Sequence, residues 1–248
     1  MKEYTVRIQP LTPIWTGDEN RKKTTLRETG IIGSLRWWYE ALIRGLGGSA
    51  CDPTNTRCKD EDHCDACELF GCTGWARRFR LEIKNTNQQV IVKFIELREI
   101  KDIEWALLNN TIRIISEYGA IGAKIADPNH GLIKIEKNDL DKFTLKNEEL
   151  DNYIKKKGNG VNNPNLQRFV FIKEDLKYKT VKKIKDELSF LKGNKDKGKR
   201  YFYKNYEKKP HRYFAYAEDD NEYKEMIKFL KEESVKFIEG KRILEGLK

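Results

Sequence analysis

Four cysteines, Cys51, Cys58, Cys64 and Cys67, lie within 17 residues, and the last two form a C-x-x-C pair. Thiolates at that spacing can chelate one metal ion from a tight turn. The spacing admits structural zinc, disulfides or buried free thiols, and a reducing compartment argues against disulfides. Acidic residues Asp52, Asp60, Glu61, Asp62, Asp65 and Glu68 are interspersed, and His63 is a substitute ligand. The separations of the first three cysteines are irregular for a zinc ribbon. Cys72, in the apolar-glycine stretch LFGCTGW, reads as core.

The second candidate is the stretch TGIIGSLRWWYEALIRGLGG, residues 29–48. Leu35, Trp38, Leu42 and Leu46 recur at helical spacing, which places Trp38 in the core. Trp37 lies about 100° round the helix from it. Ser34 is a natural N-cap beside Gly30 and Gly33, and Gly45, Gly47 and Gly48 end the helix. Free amides and the positive dipole end at such a mouth suit a phosphate. Lys22, Lys23 and Arg27 precede it, while Arg36, Glu40 and Arg44 sit one turn apart on the helix. An ordinary capped helix would look the same.

Three further stretches carry weaker signals. YGAIGAK, residues 118–124, is a glycine-rich loop ending in Lys124, and it is not a Walker motif. TGWARRFRL, residues 73–81, sets Trp75, Arg77 and Arg78 at a strand entry, a combination that stacks bases and contacts phosphates. Residues 197–216 interleave aromatics with basic residues, as a hairpin with alternating faces also would. The three histidines, His63, His130 and His211, fall in no recognisable nucleophile or metalloprotease motif.

The elements that must position these residues are legible in outline. Lys2–Pro10 reads as a strand, 34–46 as a helix, and 49–75 as a cysteine-rich insertion. Arg77–Lys84 and Gln89–Glu99 read as a hairpin turned at Asn85–Asn87. Asp102–Tyr118 reads as a helix and Gly131–Glu136 as a strand. That β-α-β-β-α-β order is the ferredoxin-like arrangement, shared by RNA-recognition sheets. It predicts an α+β fold with one such module over residues 1–137. A second, incomplete or degenerate module is expected over 138–248, with 138–164 as a linker. In it Leu166–Lys173, Tyr201–Tyr206 and Arg212–Glu218 read as strands, and Thr180–Leu191 and Glu222–Ile238 as helices.

Charge follows the same division. The 248 residues are 35% charged and 38% hydrophobic, with a net charge of +10. Residues 1–150 balance 23 basic against 23 acidic residues, whereas 151–248 carry 26 against 16. A basic half suits a polyanion such as nucleic acid, and a solvated lysine-rich surface has the same composition. No run of about 18 apolar residues is present and no signal-peptide core opens the sequence, so the expected compartment is the cytoplasm, with no membrane partner.

TGIIGSLRWWYEALIRGLGG, CELFGCTGWARRFRL and YGAIGAK, in this order, resemble the RAMP superfamily of CRISPR proteins, most closely the first subunit of the Cmr (type III-B) effectors. The resemblance is specific over about residues 4–137 and looser beyond, where RYFAYAE still fits. It implies two ferredoxin-like modules in a non-catalytic subunit that contacts the 3′ region of a guide RNA, its target RNA and the other Cmr subunits in antiviral defence. The RNA-facing residues it points to are Gly33, Ser34, Arg36 and Trp37, with Lys124 at the end of the glycine loop. The residue patterns above add Arg27, Arg44, Trp75, Arg77 and Arg78 as RNA-binding candidates and Cys51, Cys58, Cys64 and Cys67 as candidate ligands of a structural zinc. The family usually continues its glycine loop with a Gly-aromatic-Gly. Here Ile125–Gly131 contains no aromatic. Two alternatives stand beside this reading: a metal-independent RNA endonuclease using His130 or His211, and a protein–protein assembly subunit.

Overall fold

Strict alternation in β1 (Glu3–Pro10) turns Tyr4, Val6 and Ile8 inward and leaves Glu3 and Arg7 to solvent, as the two-residue period of a half-covered strand requires. A computed structural model describes residues 2–17, 25–52, 58, 63–86, 89–154, 162–174, 176–193, 198–204 and 212–247. His211, Lys22, Lys23, Asp60, Glu61 and Asp62 lie outside these residues.

The first module follows β1 with α1 (Glu28–Gly45), then α2 (Asp65–Phe70) inside the cysteine-rich insertion. It continues with β2 (Phe79–Asn85), β3 (Val90–Glu96), α3 (Asp102–Glu117) and β4 (Ile133–Asn138). Its antiparallel sheet has the order β2-β3-β1-β4, the ferredoxin-like topology. The outward face presents Arg7, Lys84, Lys93 and Lys134 and, among the described strand residues, no aromatic ring. The stacking platform of RNA-recognition sheets is therefore missing from this face.

Segment 138–164 is ordered against the first module where described. A turn at Asp139–Lys142 and α4 (Asn147–Tyr153) bury Leu140, Leu150 and Tyr153 in the same core as α1 and α3.

The second module, expected to be incomplete, has all six elements. β5 (Phe169–Ile172), α5 (Tyr178–Glu187), β6 (Tyr201–Lys204), β7 (Arg212–Tyr216), α6 (Asp220–Glu232) and β8 (Ile238–Glu239) form a sheet in the order β6-β7-β5-β8. This repeats the first module strand for strand. Its strands run 4, 4, 5 and 2 residues. The first three fall inside the expected strands, and the fourth, β8, missing from that expectation, is too short for alternation to register in the sequence. The closing helix stops at Glu232, well before Ile238, and Asp219 caps its start through the amides of Asn221 and Glu222. A final helix, α7 (Gly240–Glu245), packs back on α1.

The modules share α1. Its Trp37 and Trp38 meet Phe169, Phe202 and Phe214 of the second sheet. The other face of that sheet, with Val170, Ile172, Tyr213 and Ala215, forms a separate core with Val181 and Ile184 of α5 and Met226 and Leu230 of α6. The layers thus run sheet, helices, sheet, helices.

Candidate nucleic-acid interface and metal centre

The glycine loop is held in place by three segments. Gly122 (φ +105°) and Gly131 (φ +87°) adopt backbone angles that favour glycine. A Cβ on Gly122 would lie 2.6 Å from the carbonyl oxygen of Trp15. The amide of Ala123 donates to that same oxygen at 2.8 Å, and the amide of Gly122 donates to Ser34 Oγ at 3.1 Å. From below, Trp38 Nε1 donates to the carbonyl of Ala120 at 3.0 Å. Lys124 then reaches back over the ring of Trp15, with Nζ 4.3 Å from its centroid. The same 14–17 segment meets the start of α1, where the amide of Arg27 donates to Thr16 Oγ1 at 2.8 Å.

This arrangement corrects the expected helix mouth. Helix α1 begins at Glu28, with Arg27 in the N-cap position and no side-chain cap. Gly33 and Ser34 lie in its second turn, not at its entry. Gly30 is inside the helix, and its missing Cβ, which would stand 2.6 Å from Thr16 Cβ, lets Thr16 pack against the first turn. Gly30 makes room for the 14–17 segment, Gly33 faces open space, and the helix ends at Gly45 with Gly47 in the left-handed region just beyond, as expected. Arg27, exposed Gly33 and half-buried Lys124 belong to this one region, with Ser34 buried beneath as an anchor of the loop.

The remaining predicted residues are turned elsewhere. Arg36 donates from Nε to Glu40 at 2.7 Å, from Nη1 to the carbonyl of Gly71 at 2.6 Å, and from Nη2 to Cys67 Sγ at 3.3 Å. Arg44 is buried and donates to the carbonyls of Ala50, Cys51 and Pro164. Trp37 is half-buried in the aromatic junction between modules. Arg78 pairs with both Glu68 and Glu104 at 3.1 Å, bridging α2 and α3. Trp75 stacks on His63 at 4.4 Å and carries the Arg98 guanidinium 4.3 Å from its ring centre. Arg77 is half-buried on the same stretch. These six residues line the cysteine insertion and the module junction and do not extend the loop region. Trp15, Lys204 and Arg212, which the sequence reading passed over, contact the loop directly or from beneath.

The cysteines do converge. Cys51, Cys58, Cys64 and Cys67 are buried, with all four Sγ atoms within 4.8 Å of one another, and they are not joined by disulfides. A tetrahedral zinc with Zn–S of about 2.3 Å sets its sulfurs about 3.8 Å apart, a spacing this cluster accommodates. Backbone amides of Cys51, Cys64 and Cys67 donate to the cluster's sulfurs at 3.3, 3.3 and 3.4 Å. Hydrogen bonds from Cys51 and Cys67 hold the Cys64 thiol far below the usual thiol range, the bond with Cys64 pushes Cys51 upward, and bonds with Cys51 and then Cys64 push Cys67 upward. The Arg36 guanidinium at Cys67 Sγ, the positive charge of buried Arg44 nearby and the inward amides favour thiolate over neutral sulfur. Cys72 lies outside the set and is half-buried.

Residues 7–126 match the model of the RAMP superfamily, which bears out the resemblance read from the sequence motifs. The match spans the cysteine cluster and most of the glycine loop. No curated protein matches the sequence. Among solved structures, the fold is similar to the apo crystal structure of Cmr1 from Pyrococcus furiosus, with a TM-score of 0.53 and 12% identity, covering 97% of this chain and 99% of that one. No described helix is long and apolar enough to cross a membrane.

Proposed function

We propose that this chain, RAMP-matched over residues 7–126 and folded like Cmr1, is an RNA-binding subunit of a type III-B CRISPR effector. It would contact the 3′ part of the guide RNA and the target RNA beside other Cmr subunits, in the cytoplasm. The observation that carries this is the Lys124–Trp15 pair on the glycine loop, adjoining Arg27 and Gly33 at the start of α1. A cation over an aromatic ring at an accessible loop offers phosphate attraction and a stacking surface together. Base pairing with the guide would supply sequence choice, so the protein needs backbone contacts more than base readout.

The four-cysteine cluster we read as a structural zinc site held by Cys51, Cys58, Cys64 and Cys67. Zinc bound there would cross-link the 49–75 insertion, and Arg36 and Arg44 would offset the negative charge of its thiolates. Among the described residues, the carboxylate that pairs with both arginines is Glu40, one negative charge against two guanidiniums.

The endonuclease alternative needs an accessible base. His130 is buried, its Nδ1 is 2.9 Å from Asp127, and among the described residues its buried Nε2 has no hydrogen-bond partner. That geometry argues against His130 as the base; His211, the other candidate, lies outside the described residues. The deciding experiment titrates RNA affinity of the purified chain against salt and runs the same samples on a gel. Salt-sensitive binding with intact RNA is the expected result. Cleaved RNA would replace the reading with the nuclease, and absence of binding would replace it with the assembly subunit.

A further inference from the structure

We propose that Lys204 and Arg212, two buried cations of the second module, set the conformation of the first module's glycine loop and so act as positioning residues for RNA binding. The inference rests on the reading above that this loop meets RNA.

The two residues are cross-strand partners, Lys204 at the end of β6 and Arg212 at the start of β7. Strand alternation puts them on the face of Phe202 and Phe214, which is turned toward α1. Lys204 is 0% exposed. Its Nζ donates to the carbonyls of Ile125, Asp127 and His130 at 2.6, 2.8 and 2.7 Å. An ammonium has three N–H donors, and here each meets one carbonyl of the same loop. Arg212 Nη1 donates to the carbonyls of Ile115 and Gly119, at 3.3 and 3.1 Å, where α3 runs out into the loop. Five carbonyls of residues 115–130 thus converge on two side chains from another module.

Burying a cation without an ion pair is expensive, and an apolar side chain would fill the space more cheaply. Among the described residues neither cation has a carboxylate within ion-pair distance. Burial pulls both groups below their ordinary pKa, while the carbonyl acceptors favour keeping the proton. What the arrangement provides is a defined backbone path through Ile125–Gly131, a stretch without helix or strand. It also places positive charge directly beneath the loop that carries Lys124. With no solvent access, Lys204 cannot itself touch a phosphate. Its influence on RNA must pass through the loop.

The test uses the full chain with Lys204→Met, followed by backbone hydrogen exchange of residues 119–131 and by RNA affinity across a salt series, with Lys124→Ala in parallel. Expected for Lys204→Met is about tenfold faster exchange in the loop with β5 and β7 still protected. RNA affinity should fall about tenfold with an unchanged salt slope, because no phosphate contact is removed. Lys124→Ala should instead lower the slope by about one. Unchanged loop exchange, or a slope loss like that of Lys124→Ala, overturns the proposal. A loosened loop with undiminished affinity would uphold the positioning and refute the loop's part in RNA binding. Should the methionine variant not fold, Lys204→Arg, which keeps the charge and misplaces the donors, is read against the same outcomes.

Discussion

Helix α1 serves two regions that handle charge in opposite ways. Toward the cysteine insertion, Arg36, Glu40 and Arg44 point inward and every guanidinium nitrogen of Arg36 meets a protein acceptor. Toward the glycine loop, Ser34 is the buried anchor while Arg27 and Gly33 stay exposed beside Lys124. The first region uses positive charge to complete a structure. The second holds positive charge at an accessible surface, supported from below by Lys204 and Arg212. Net charge on a helix therefore says little about which face meets an anionic partner. What decides is whether another element folds back over it.

The largest expected effect comes from the cysteine side. Structural zinc contributes about 10–16 kcal/mol to the folding of isolated fingers, and a share of that should hold the insertion here. Cys67→Ser is expected to lose the metal and lower the melting temperature markedly. A strong chelator should lower the wild-type melting temperature and leave the variant unmoved. Metal analysis that finds no zinc, together with identical melting with and without chelator, would return the cluster to free thiols.

Next in size is the division between the two tryptophans. Trp38 is fully buried and its ring lies against Gly119, where a Cβ would approach Cζ2 to 2.4 Å. Trp38→Ala should cost about 3–5 kcal/mol, the range for large aromatics in cores. Gly119→Ala should cost about 1–3 kcal/mol by overpacking the same contact. Denaturant unfolding measures both. A neutral Gly119→Ala would show that the seat of the loop on Trp38 is looser than described.

Arg36→Met follows. It leaves Glu40 buried without Arg36 and removes the donor to Cys67. About 1–3 kcal/mol of destabilisation is expected, less than for a fully buried pair because the side chain keeps 15% exposure. Its RNA salt slope should equal that of the wild type. A slope reduced by about one would move Arg36 to the RNA face and collapse the contrast between the two regions.

The unequal legibility of these regions has a physical basis. The four cysteines announce themselves by type and spacing, and their convergence follows from the C-x-x-C turn of α2. The stripe of α1, the helix α3 and the β2–β3 hairpin are long enough for periodicity to show. The direction of Arg36 is not readable, because an arginine four residues before a glutamate looks the same on a solvated face. Only the return of residues 49–75 over α1 turns that pair inward. Ser34 misled for a related reason: it has the right type for a cap, but the 14–17 segment lets Gly30 extend the helix upstream. Lys204 is the instructive miss. Phe202 and Lys204 are two apart on a strand, so alternation places both on the buried face, yet lysine's type argues for exposure. Such a conflict between period and residue type was the available signal.

The smallest effect on stability, and the most direct on function, belongs to Lys124→Ala. Its ammonium lies over Trp15 and is half-buried, so removal should change unfolding free energy by no more than about 0.5 kcal/mol. If the loop meets RNA, one phosphate contact disappears, the salt slope falls by about one, and affinity drops a few-fold at low salt. Trp15→Ala should weaken binding while keeping the slope, because stacking carries no counterion release. Equal slopes for Lys124→Ala and the wild type would leave the loop without a phosphate, and the half-buried charge would then have to serve a protein neighbour.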